Sequence, residues 1–178
     1  AASDVYKRQE HKYSEFENVV FSKFMHNEHE IIDLIVRSDN ADFYSRLERH
    51  DYKISKLEDW EFARITVGYP GSNEANTKFL PHDIGMINLI SLNKGCYPGQ
   101  EIHARLDSRS KPKKRMVVLA TGDALEIGKH SLSDGNSVNI TSTALRDGLH
   151  LSMGICSVDV SNDATLVKCN GYSKLTLL

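Results

Sequence analysis

The chain has 178 residues, 40% of them hydrophobic and 26% charged, with a net charge of -2. That make-up is ordinary for a globular chain with length for one or two packed domains, and its near-neutral balance excludes a protein that coats nucleic acid with its whole surface. No apolar run approaches the ~20 residues that span a bilayer, and the first residues lack the apolar segment of a signal peptide.

Residues 1–9 show no clear period and run abruptly into a strand-like segment, so they are read as a scar or linker and kept out of the fold. Residues 18–24 and 30–37 alternate like strands, and the polar stretch 25–29 between them predicts a hairpin. Asp39 or Asn40 then caps a helix through about His50, with Phe43 and Leu47 on one face and an Asp42–Arg46 pair on another. Lys53 and Ile54 suit a brief strand. Ser55 and Glu58 form a capping box, and Leu57, Trp60, Ala63 and Val67 follow at helical spacing, which makes Trp60 a core residue. Gly68 stops that helix, and residues 70–73 form a turn.

Pro81 is placed to open another short helix through Ile90, and residues 93–101 form a turn that opens a further helix with Ile102 and Leu106 on its apolar edge. After Pro112 the character changes. Residues 116–121, 137–142, 149–160 and 165–169 are strand-like and are punctuated by Gly122-Asp123, Asp134-Gly135, Asp147-Gly148 and Asn170-Gly171. Short strands at this spacing predict a small β-barrel or sandwich. The fold class expected is therefore α+β, with an incomplete α+β domain over 10–112 and a β-barrel over 113–178.

The chemistry concentrates in residues 94–105. Gly95 and Gly99 let the backbone turn tightly and approach a ligand. Pro98 presets a turn or a first helical position. Cys96 then stands just before a helix N-terminus, whose partial positive charge favours a thiolate, and Lys94, His103 and Arg105 add positive charge. Glu101 in the first helical turn can accept hydrogen bonds or steer a ligand amine. The competing reading is a buried, inert cysteine, the commonest fate of a lone one. The other cysteines, Cys156 and Cys169, complete no metal-ligand spacing, and an odd, sparse set of three suits a reducing compartment. His26, Glu28, His29 and Glu30 lie in a hairpin turn that scatters them, so no metal site is expected. The stretch from Arg105 to Arg115, with Arg109, Lys111, Lys113 and Lys114, is basic but has no interleaved aromatic residue, and it reads first as a solvated loop.

The segment Lys94-Gly95-Cys96-Tyr97-Pro98-Gly99-Gln100-Glu101 resembles the K-G-C-[FY]-x-G-Q-E signature of the YgfZ family. Neighbouring features agree in order: Arg64-Ile65 with Gly68-Tyr69-Pro70 resembles the family's R-I-x-x-G-x-P stretch, and Phe79-Leu80-Pro81 its F-L-P entry. Ala104-Arg105 and Lys114-Arg115 resemble the A-R and K-R that follow, although Ser110 stands where the family often has glycine. The resemblance covers about 57–120 and extends less sharply to the C-terminus.

This resemblance implies the C-terminal part of a fold like that of the glycine-cleavage T-protein, with further N-terminal chain in the parent. It implies binding of tetrahydrofolate as cofactor and assistance to iron–sulfur cluster assembly or repair in client proteins, tRNA-modifying enzymes among them. Nucleic acid would be a partner only indirectly, no membrane is involved, and the compartment would be the cytoplasm, or the mitochondrion in a eukaryote. Cys96 becomes the reactive or cluster-related thiol. Lys94, Gln100, Glu101 and Arg105 would line the same pocket, and Arg64 would shape the folate side, its alternative being a surface helix charge. Two other functions stay open: a folate-dependent aminomethyltransferase-like enzyme, and an RNA-binding module working through the basic stretch.

Overall fold

The computed structural model describes residues 12–16, 19–37, 39–50, 52, 55–108, 111–167 and 173–177. The expected brief strand at Lys53 and Ile54, the scar at 1–9, Arg109, Ser110 and Cys169 lie outside the described residues. The chain divides into two compact units, residues 1–57 and 58–178.

The first unit is a three-stranded antiparallel sheet, β1 (Lys12–Phe16), β2 (Val19–His26) and β3 (His29–Val36), in that order, followed by helix α1 (Ala41–Arg49). The hairpin stands as expected. Asn27 and Glu28 take positive φ values of 45° and 68°, which is how a two-residue turn matches the twist of its strands. β1 was not foreseen; it pairs Phe16 with Val19 and Lys12 with Lys23. Helix α1 starts where a capping side chain is available: Asn40 Oδ1 accepts from the Phe43 amide at 3.2 Å. Arg46 and Asp42 pair at 2.9 Å one turn apart, and the Phe43–Leu47 face is half-buried.

The second unit is built on a five-stranded antiparallel sheet in the order β5-β6-β7-β4-β8. Its strands are β4 (Lys114–Thr121), β5 (Gly128–Ser131), β6 (Ser137–Arg146), β7 (Leu149–Ser157) and β8 (Ser173–Leu177). Among the described residues the sheet is open, with β5 and β8 at its edges: the strands expected at 116–121, 137–142 and 149–160 are present, the expected strand at 165–169 shows only an isolated bridge of Leu166 to Leu132, and no barrel closes. The central strands are apolar on both sides because both faces are covered. On one face Val117, Leu119, Val138, Ile140 and Cys156 meet Leu125, Leu132 and Leu166. On the other, Met116, Val118, Leu151, Met153 and Ile155 meet Ile65 and Ile84. The elements on either side of residue 112 thus share one core.

Ile65 belongs to helix α2 (Leu57–Thr66). The buried face of this helix is Arg64 and Ile65, not the expected Leu57–Trp60 side: Trp60 is 45% exposed and Leu57 71%. Trp60 is therefore not a core residue, and its ring meets Tyr69 edge-on, centroids 6.2 Å apart. The face is chosen by Ile65, and Arg64 is carried inward with its charge compensated. The helix ends as Gly68 predicts. Gly68 has φ 70°, its amide donates to the Ile65 carbonyl at 3.0 Å, and the Tyr69 amide reaches back to Arg64 O at 2.7 Å, a Schellman closure.

The helix expected from Pro81 to Ile90 is a series of turns followed by one 3-10 turn, Ile87–Leu89. Gly85, at φ 72°, breaks any continuous helix there. Helix α3 (Gln100–Ser108) forms where the signature segment predicts it.

Candidate functional site: the Cys96 loop

Two devices deliver the signature loop to helix α3. Gly99 turns the backbone at φ 85°, in the left-handed region that favours glycine. Gln100 then clamps the loop from both ends. Its amide donates to Tyr97 O at 3.2 Å, and its side-chain Nε2 donates to Leu92 O at 3.2 Å. Of the residues expected to line a pocket, Gln100 therefore fastens the loop rather than offering its amide donor outward.

Cys96 is a free, exposed thiol, so it is not the buried and inert cysteine of the competing reading. Lys94, Glu101 and Arg105 are exposed around the same turn and the first turns of α3. Lys94 Nζ sits 4.8 Å from the centre of the Tyr97 ring, a cation–π contact that draws the two residues flanking Cys96 on to each other. Gly95 has nothing within 4 Å of the position a Cβ would take, so the space beside the thiol is open.

Arg64 is buried. It is 3% exposed, which removes the surface-charge reading. Its Nε and Nη2 donate to Glu61 at 2.8 and 2.5 Å. Nη2 also donates to Ser142 Oγ at 2.9 Å, and Nη1 to Glu74 and Tyr69 O at 3.3 and 3.4 Å. Gly71 makes the room: a Cβ there would stand 2.7 Å from Arg64 Cζ. The guanidinium has its donors engaged inside the protein, and it fixes α2 and the 71–74 turn to strand β6.

A feature that sequence reasoning missed lies under the loop. His103, on α3, stacks on His82 with ring centroids 5.3 Å apart and planes 17° from parallel, and the Tyr97 ring lies 6.3 Å from His103, tilted by 30°. His82 is set in place by its neighbours: Asp83 Oδ2 accepts from the Leu80 amide at 3.0 Å, and Ile84 is core. The F-L-P segment therefore serves to deliver His82. Tyr97 Oη, His82 Nδ1 and His103 Nδ1 are buried, and among the described residues they have no hydrogen-bond partner. The His82 pKa is held below 6.5, chiefly by burial and next by the charge of His103, with Asp83 and Asp107 pulling weakly the other way. The F-L-P-H-D sequence was the available signal, but only the fold shows that residues 82 and 103 meet.

A cavity of about 770 Å³ lies within the first unit, between β2, β3 and α1, lined by Val19, Phe21, Leu34, Phe43 and Leu47 among others. Its rim charges Arg37 and Arg46 are paired with Asp39 and Asp42, and no signature residue lines it.

Of the basic stretch, Arg105, Lys111, Lys113 and Lys114 are exposed, whereas Arg115 turns inward to donate to Val160 O at 2.5 Å. Among the described residues no helix is long and apolar enough to cross a membrane.

No family model matches the chain. Among curated proteins it is similar to a chloroplastic protein of Arabidopsis thaliana named provisionally as a transferase, 41% identical over 80 residues. It is also similar to the tRNA-modifying protein YgfZ of Sodalis glossinidius, 29% identical over 125 residues, and of Hamiltonella defensa, 31% over 136. These matches cover 44%, 64% and 65% of this chain, and the chain spans 18%, 38% and 40% of those relatives' lengths. The signature loop and these matches together show that the chain is similar to YgfZ proteins over part of its length.

Proposed function

We propose that the parent of this chain binds tetrahydrofolate and assists assembly or repair of iron–sulfur clusters in client proteins, tRNA-modifying enzymes among them. The observation that carries this reading is the exposed thiol of Cys96 on a loop fastened to the start of α3, with the charged side chains of Lys94, Glu101 and Arg105 exposed beside it. The name of the bacterial relatives, tRNA-modifying protein, supports the tRNA connection. In this reading residues 10–112 contribute part of a folate-binding domain of a T-protein-like fold, and 113–178 its terminal β domain. Glu101, Lys94 and Arg105 contact the ligand. Gln100 and Arg64 act from behind, holding the loop and the α2 turn in place.

The test is a tetrahydrofolate titration on the full-length parent, beside Glu101→Ala and Cys96→Ala. Weaker binding in Glu101→Ala with unchanged binding in Cys96→Ala puts Glu101 in the ligand pocket and Cys96 in a later chemical step. A parent that binds no folate ends the proposal. The transferase name of the Arabidopsis relative favours a second reading, folate-dependent one-carbon transfer. Turnover of an aminomethyl donor by the parent separates the two.

A further inference from the structure

We infer that His103 and His82 are positioning residues for Cys96: stacked on each other they hold Tyr97, and through it the Lys94–Gly99 loop, and protonation of His82 releases that loop. The inference rests on the reading of Cys96 as the reacting group for its consequence, but not for its physics.

The geometry is a file of four side chains. Lys94 lies over Tyr97, Tyr97 against His103, and His103 on His82. Cys96 sits between the first two in sequence. With Lys94 and Tyr97 drawn into the file, the thiol between them is left outward and exposed. The far end of the file is rigid, because His82 stands between an Asp83-capped turn and the core residue Ile84. His103 is fixed along the helix, with its Nε2 3.9 Å from where a Gly99 Cβ would be.

What holds the file is ring contact, not hydrogen bonding. Buried polar atoms without partners are rare and call for an explanation. Here Nδ1 of both imidazoles and Oη of Tyr97 are in that state together. A neutral imidazole tolerates it because its faces are well packed. A protonated His82 is disfavoured, since its charge would be enclosed beside a second imidazole. The groups facing His82 are His103, Asp83 and Asp107, and burial with His103 outweighs the two carboxylates. Charging His82 therefore opposes the stack, and histidine is the natural group to do so within the physiological range.

The experiment is an NMR titration of the full chain from pH 8 to pH 5, following the imidazole ring protons and the backbone amides of Gly95, Cys96 and Gly99. His82→Phe keeps an aromatic face, removes one proton site and loses no hydrogen bond to Nδ1; His103→Ala removes the stack. In the wild type the loop amides should shift with the same midpoint as the His82 ring, below pH 6.5. In His82→Phe that transition should disappear, and in His103→Ala the amides should already sit at their low-pH positions at pH 8. Loop amides that stay fixed in the wild type, or that titrate unchanged in His82→Phe, overturn the inference. If His103→Ala does not fold, the wild type and His82→Phe decide the matter alone. Folate titration at a fixed pH reads the proposed function separately, so either can fail while the other stands.

Discussion

Glu74 and Arg64 form an ion pair from which water is excluded: Arg64 Nη1 stands 3.3 Å from Glu74 Oε2, and their side chains are 4% and 0% exposed. Glu74 is itself held by the Gly71 amide at 2.8 Å and by Ser142 Oγ at 2.7 Å. A carboxylate this enclosed is tolerable only because each of its oxygens is engaged. Removing Arg64 leaves the Glu74 carboxylate buried without a counter-charge, whereas removing Glu74 still leaves Arg64 its pair with Glu61.

Arg64→Met should therefore destabilise the chain by about 3–5 kcal/mol, the usual consequence of breaking a buried pair. The loss should show as a lower urea midpoint at unchanged slope. The joint replacement Arg64→Met with Glu74→Leu should recover much of it, because no charge is then stranded. A single substitution that leaves the midpoint unmoved would mean that the pair is not enclosed in solution.

Three glycines should separate cleanly in the same assay. Gly71→Ala drives a Cβ into Arg64 Cζ at 2.7 Å, and Gly154→Ala meets Val138 Cγ2 at 2.7 Å and Asn139 O at 3.0 Å. Each should lose about 1–3 kcal/mol, as overpacking does. Gly95→Ala meets nothing within 4 Å and should stay within about 0.5 kcal/mol of the wild type. A folate-binding defect in Gly95→Ala, at wild-type stability, would show that the open space beside Cys96 is used by the ligand.

Much of this fold was legible because the signals were local. The hairpin showed in its alternation and in the polar residues around Asn27 and Glu28, and α1 in the Asn40 cap and the Asp42–Arg46 pair. What was illegible depended on distance. Arg64 reads as a surface charge until Glu74, ten residues on, and Ser142, 78 residues on, are seen to enclose it. Ile65 set the buried face of α2, that long-range enclosure made Arg64 tolerable beside it, and Trp60 was left outside. The edge strand β5, Gly-Lys-His-Ser, has too little apolar pattern to announce itself. At the site, the signature segment exposed Cys96 to reasoning directly, whereas the His82–His103 stack is a tertiary meeting with no motif of its own.

Acid should loosen the chain through His82. Its folded-state pKa lies below 6.5, so the unfolded chain binds the proton more readily. The contribution is complete above pH 6.5 and is lost as the pH falls through the lower folded-state value. The urea midpoint of the wild type should thus fall between pH 7.5 and pH 5.5 by more than that of His82→Phe. Parallel falls in the two proteins would assign the acid sensitivity to other histidines.

The thiols offer the sharpest check on the site. Cys156 is 3% exposed within β7, and burial pushes its pKa up against a smaller downward pull from Arg115. Since the thiolate is the nucleophile, both effects of burial, exclusion of reagent and suppression of the anion, protect it. Cys96 is exposed to the reagent. Brief treatment of the native chain with iodoacetamide at pH 8, followed by peptide mapping by mass, should label Cys96 while Cys156 reacts on the order of a hundredfold more slowly, through opening of the sheet. Urea should bring the two rates together. Equal labelling without urea would mean that the central strands open freely. A silent Cys96 would place the thiol under cover in solution and remove the observation on which the proposed chemistry stands.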